Sequence, residues 1–190
     1  EDNGLTWSVV ESIPVHNSIK IGAPERERYA GWYKDSIRAL AEAGIHTICY
    51  NFMPVVDWTR TDLDFPLATG ATALRFDIDR FAAFDIHILE RPIAAADYDE
   101  TTQLRAQRVF DAMERADIAA LTRTVAAGLP GATTDALDLG AFRERLALYR
   151  GIDSRKLRAN LVAFLEKVVP VAAQHGVKLT LHPDDPPRPL

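Results

Sequence analysis

The sequence predicts an α/β fold built on a parallel sheet, and three observations predict it. A helical apolar stripe, then glycine, then a short apolar strand recurs along the chain, the pattern of βα units. Each of the three strands so read carries a polar residue at its C-terminal end: Glu11, Asn51 and His182. Roughly a hundred residues separate the second strand from the third, far more than a normal connection, so a structured insert is expected there.

The elements follow in order. At the start, Asn3-Gly4 followed by LTWSVVES reads as a helix stop and a strand with no helix before it. The natural protein is therefore expected to begin earlier than residue 1. In 26–53, Tyr33, Ile37, Leu40 and Ala41 form the helical stripe, Gly44 ends it, and IHTICYNF is the strand. The insert, taken as 64–152, is mostly helical. ALRFDI is a short strand, DRFAAFDIHILER an apolar helical run, and 99–128 and 139–150 are helices flanking the turn-rich GLPGATTD. Phe76, Phe81 and Phe84 are read as its core. The last unit, 154–182, is the clearest. Leu157, Leu161, Phe164, Leu165, Val168, Val169 and Ala172 repeat at helical spacing, with Asp153 or Ser154 as cap, Pro170 as an expected kink and Gly176 as the stop. VKLTLH then reads as a buried strand. The whole is read as a single domain, 1–190.

Composition excludes several classes. Of 190 residues, 47% are hydrophobic and 26% charged, as in ordinary globular proteins. No apolar run is long enough for a bilayer, so no membrane partner is expected. The formal charge of −5 and the lack of a basic patch argue against nucleic acid. The N-terminus has no signal-peptide pattern, and the single cysteine, Cys49, rules out an internal disulfide and fits a reducing, cytoplasmic setting.

Two stretches are more specific. YNFMPVVDWTRTDLDF (50–65) and LHPDDPPRPL (181–190) resemble the signature segments of mannonate dehydratases. WSVVESIPVH (7–16), ALRFD (73–77), FAAFDIHIL (81–89) and LTRTVAAGLPGA (121–132) are also similar to that family, in order along the chain. The resemblance implies a TIM (β/α)8 barrel of the xylose-isomerase-like type, here partial and carrying the helical insert. It implies a lyase that converts D-mannonate to 2-keto-3-deoxy-D-gluconate in hexuronate (glucuronate) catabolism, with a divalent metal as Lewis acid. It further implies chain beyond both ends. The catalytic acid/base residues and the further cysteine, histidine and aspartate ligands are expected past residue 190, so the 190 residues alone are expected to be inactive.

Within that frame, His182 is the metal-ligand candidate, since an imidazole at a barrel strand's end can hand a nitrogen to a cation. Its alternative is a loop-start hydrogen bond. Fe²⁺ or Mn²⁺ suits a mixed imidazole and carboxylate site. Asp184 and Asp185 follow, as substrate or outer-sphere contacts or as turn formers before Pro-Pro, the second reading favoured for Asp185. Asn51 can offer an amide to a substrate hydroxyl or make a loop bond. Arg60 has the fork that matches a carboxylate, against a structural ion pair with Asp57 or Asp62. Trp58 can stack on a sugar chain. Glu11 and His16 are read as satisfied polar residues, and Cys49 as a small buried hydrophobe. His46 and His87 show no partner pattern, and His175 suits a helix C-terminus.

Two other readings compete: a metal-dependent sugar isomerase or epimerase of the same barrel type, and a non-catalytic piece that only folds or assembles. A homo-oligomer is expected, because an open part-barrel exposes sheet edges and the charged helices of 99–128 suit a solvated or subunit face.

Overall fold

A computed structural model describes residues 3–56, 58–127 and 138–186. The chain divides into two compact units, one of residues 1–54 with 149–190 and the other Val55–Leu148.

The first unit holds a three-stranded parallel sheet. Its strands are β1 (Val10–Glu11), β2 (Thr47–Tyr50) and β5 (Lys178–Leu181), in the order β1-β2-β5. Parallel neighbours need crossovers, and helices supply them. Helices α1 (Asn17–Lys20) and α2 (Arg26–Glu42) lie between β1 and β2, and α7 (Ser154–Gln174) leads into β5. In α2, Ala30, Tyr33 and Ile37 fall on one stripe and are buried. The Asp153 carboxylate caps α7 by accepting the Lys156 N–H at 2.7 Å, and the helix continues through Pro170. Gly44 (φ 79°) and Gly176 (φ 67°) follow α2 and α7 in the left-handed conformation that stops a helix.

Register assigns each side chain a face. Ile48 and Tyr50 on β2 are buried with Tyr33, Ile37, Phe164, Val168 and Ala172 from the helices. Phe164 is the hub: its ring meets Tyr33 edge-on at 5.0 Å and also approaches Tyr50 and Phe52. Burying a side chain of this kind is worth about 1.5–3 kcal/mol. β1 is shorter than LTWSVVES suggests. Only Val10 and Glu11 find ladder partners, in Ile48 and Cys49, while Leu5 and Trp7 are exposed.

The second unit begins with an antiparallel hairpin, β3 (Asp62–Pro66) and β4 (Thr72–Arg75). β4 and the helices of 99–128 and 139–150 lie where the sequence puts them, but β3 was not anticipated. Its alternation of aspartates ends in proline, and pairing with β4 rather than apolar content makes it a strand. Helix α3 (Ile78–Ala83), capped by Asp77, widens into a π-helical turn over Phe84–Ile88. Helices α4 (Glu100–Asp111), α5 (Arg115–Ala127) and α6 (Leu139–Leu148) complete the unit. Its core gathers Phe81, Phe84, Leu121, Val125 and Phe142. GLPGATTD lies outside the described residues.

Candidate metal centre

The parallel ladder explains why three distant residues meet. Residues paired across a sheet point to the same face, and so do residues two apart on one strand. Glu11 pairs with Cys49, and Cys49 with Thr180. His182, two residues past Thr180, is held by its N–H donating to the Tyr50 carbonyl at 2.7 Å. Glu11, Cys49 and His182 therefore share the face opposite the one that carries Ile48 and Tyr50.

The side chains converge there. His182 Nδ1 lies 2.5 Å from Glu11 Oε1. One ligand atom each from Glu11, Cys49 and His182 can be chosen so that all lie within 4.8 Å of one another. With bonds of about 2.0–2.3 Å, two ligands on one ion lie at most roughly 4.5 Å apart, so the cluster has nearly the dimensions of a coordination sphere. A carboxylate, a thiol and an imidazole together suit a first-row divalent cation better than a purely hard ion such as Mg²⁺. On this donor chemistry the residues fit a metal ion.

The other sequence candidates are distributed as follows. Asn51 comes directly after β2 and is buried. Two residues on, the Met53 carbonyl accepts a 2.7 Å hydrogen bond from the buried Lys20 ammonium. Asp184 and Asp185 are exposed just beyond His182. Trp58 and Arg60 belong to the second unit and are half-buried, and the Arg60 guanidinium donates to the Thr59 carbonyl at 2.9 Å. Asp57 and residues 187–190 lie outside the described residues.

Several histidines have structural employment. His16 caps α1 by accepting the Ser18 N–H through Nδ1 at 3.1 Å, and its ring stacks on Tyr29 at 3.5 Å. His87 stacks on Phe110, and His175 is the C-cap of α7.

Sequence reasoning did not bring Glu11 or Cys49 to His182. Glu11 is half exposed and in contact with the imidazole, and Cys49 is only partly buried. The signal was present but required register: Glu11 must be set opposite Cys49, and Cys49 opposite Thr180, before the three positions fall on one face.

A family model described as D-mannonate dehydratase (UxuA) matches residues 1–190. Mannonate dehydratases of Brucella canis and Brucella suis are 56% identical over 186 residues, covering 98% of this chain and 46% of each relative. The chain thus spans about half the length of these relatives. The crystal structure of mannonate dehydratase from Streptococcus suis serotype 2 superposes with a TM-score of 0.61 at 33% identity, covering 96% of this chain and 38% of that one. Among the described residues no helix is long and apolar enough to cross a membrane. With the family model matching its full length, the chain belongs to the D-mannonate dehydratase (UxuA) family.

Proposed function

We propose that this chain forms part of a lyase that dehydrates D-mannonate to 2-keto-3-deoxy-D-gluconate in hexuronate catabolism, with Fe²⁺ or Mn²⁺ held by His182. The observation that carries the reading is the convergence of Glu11, Cys49 and His182 at the C-terminal ends of parallel strands, in a chain whose relatives are named mannonate dehydratase. In this reading β1, β2 and β5 are consecutive staves of a TIM barrel of the xylose-isomerase-like type, and the polar face of the sheet is its lumen. Ligands gather at that end of such barrels.

The reaction removes the proton beside the substrate carboxylate and expels the neighbouring hydroxyl as water. A bound divalent cation would supply Lewis acidity toward substrate oxygens and orient them. This chain's residues bind and orient the sugar acid. Asn51 donates its amide to a hydroxyl, and Asp184 accepts from a hydroxyl. The acid/base groups are assigned to parts of the relatives' length that have no counterpart among these residues.

The test compares two proteins: the 190-residue chain, and the same chain completed with the segments of a Brucella relative that it does not match. Each is given Mn²⁺ and D-mannonate. Formation of a 2-keto-3-deoxy acid by the completed protein is expected, and an isomer of unchanged mass would refute the dehydratase assignment. In that protein His182→Ala should abolish Mn²⁺-dependent turnover and weaken Mn²⁺ binding at least tenfold while circular dichroism stays unchanged; unaltered Mn²⁺ affinity would remove His182 as a ligand.

A further inference from the structure

We propose that Glu11 is the positioning residue of His182: its carboxylate holds Nδ1 as the protonated nitrogen and presents Nε2, with its lone pair, to the cation. The inference rests on the assignment of His182 as a ligand and deepens it.

The argument starts from distances in the sheet. β1 and β5 flank β2, so their backbones are separated by two strand spacings, about 9.5 Å. No short side chains could meet across that gap. A glutamate and a histidine, reaching toward each other over the middle strand, can, and the 2.5 Å contact from Oε1 to Nδ1 shows that they do. The residue beneath the bridge is Cys49, the ladder partner of Glu11. Its side chain is small enough to let the two longer ones cross.

Both ends of the bridge are anchored. Glu11 is the last residue of β1, and the His182 N–H is bonded to the Tyr50 carbonyl. The His182 backbone is therefore held by the Tyr50 carbonyl and its ring by the Glu11 carboxylate. A carboxylate beside one ring nitrogen favours the proton there, and the other nitrogen becomes the better electron-pair donor. Outer contacts of this kind change metal affinity by roughly 10–100-fold when removed.

The arrangement also allows a competing role, with Glu11 as a direct ligand, and two substitutions separate the two. Glutamine retains a carbonyl oxygen that accepts from Nδ1–H but loses the anionic donor a metal prefers. Alanine loses both. The ring tautomer of His182 is read by ¹⁵N NMR on the metal-free protein, and Mn²⁺ dissociation constants are read by electron paramagnetic resonance, in wild type, Glu11→Gln and Glu11→Ala. The expected result is an Nδ1–H tautomer in wild type and Glu11→Gln, lost in Glu11→Ala. Mn²⁺ affinity should be within a few-fold of wild type for the glutamine variant and lower by roughly 10–100-fold for alanine. An unchanged tautomer in Glu11→Ala overturns the proposal, and so does an equal loss of Mn²⁺ affinity in both variants, which would make Glu11 a ligand. The tautomer is read without metal or substrate. A completed protein that binds no Mn²⁺ or fails to dehydrate mannonate would thus sink the functional assignment while leaving the positioning role to be decided by the ring spectrum.

Discussion

His16 shows how one ring can couple local structure to pH. Its Nδ1 accepts the Ser18 N–H, so the cap requires an unprotonated nitrogen there. Burial, and after it the nearby Lys20 charge, lower its pKa from 6.5. The unfolded chain, titrating near the ordinary value, takes up a proton as pH falls below it, and the folded chain resists. Stability contributed here is complete above that range and declines as pH drops toward the lowered folded value. His16→Asn retains a good cap without a titrating group. Its melting temperature should therefore fall less than that of wild type between about pH 7 and pH 5.5; parallel slopes would dismiss the cap as the cause. Asp85 presents the opposite case, a charge kept buried by its partners. Its carboxylate receives Arg91 Nε at 2.8 Å and Nη2 at 2.7 Å, and the Tyr98 hydroxyl at 2.9 Å. These contacts raise the Arg91 pKa further above its already high value, with the Asp85 hydrogen bond as the largest cause. Arg91→Ala strands that carboxylate and should cost about 3–5 kcal/mol in urea denaturation.

At the scale of elements, α7 carries most of what its unit needs. It caps itself through Asp153, delivers Phe164, Val168 and Ala172 to the core, and stops at Gly176 in time for β5 to pair with β2. Phe164→Ala should destabilise by about 3–5 kcal/mol, because three aromatic neighbours lose a shared contact. A loss under about 1 kcal/mol would mean that the surrounding rings close the space. This helix was legible in the sequence almost residue for residue, since an amphipathic stripe with a cap and a glycine stop is local information. β3 was not, because its strand character lies in its partner. The metal-centre candidates divide the same way. His182 was legible from a motif, whereas its neighbours Glu11 and Cys49 were not, because their proximity is a property of register between strands far apart in sequence.

At the scale of the molecule, each unit has its own buried cluster, one around Phe164 and one around Phe84 and Leu121. Damage to one should be felt there first. Leu121→Ala, at 1% exposure, should cost about 2–5 kcal/mol and accelerate amide exchange through Val55–Leu148 before it does so in β2 and β5. Uniform acceleration across both units would show that they unfold together. The parallel sheet has a different consequence, set by its two unlike sides. Along β2 the odd-numbered Thr47 and Cys49 look one way and the even-numbered Ile48 and Tyr50 the other. Substitutions walked down this strand should alternate in kind. Changes at 48 and 50 would lower the amount of intact protein, and changes at 49 would spare the yield and alter what the protein holds. One short stretch of backbone thus meets the packed core on one side and the candidate metal centre on the other.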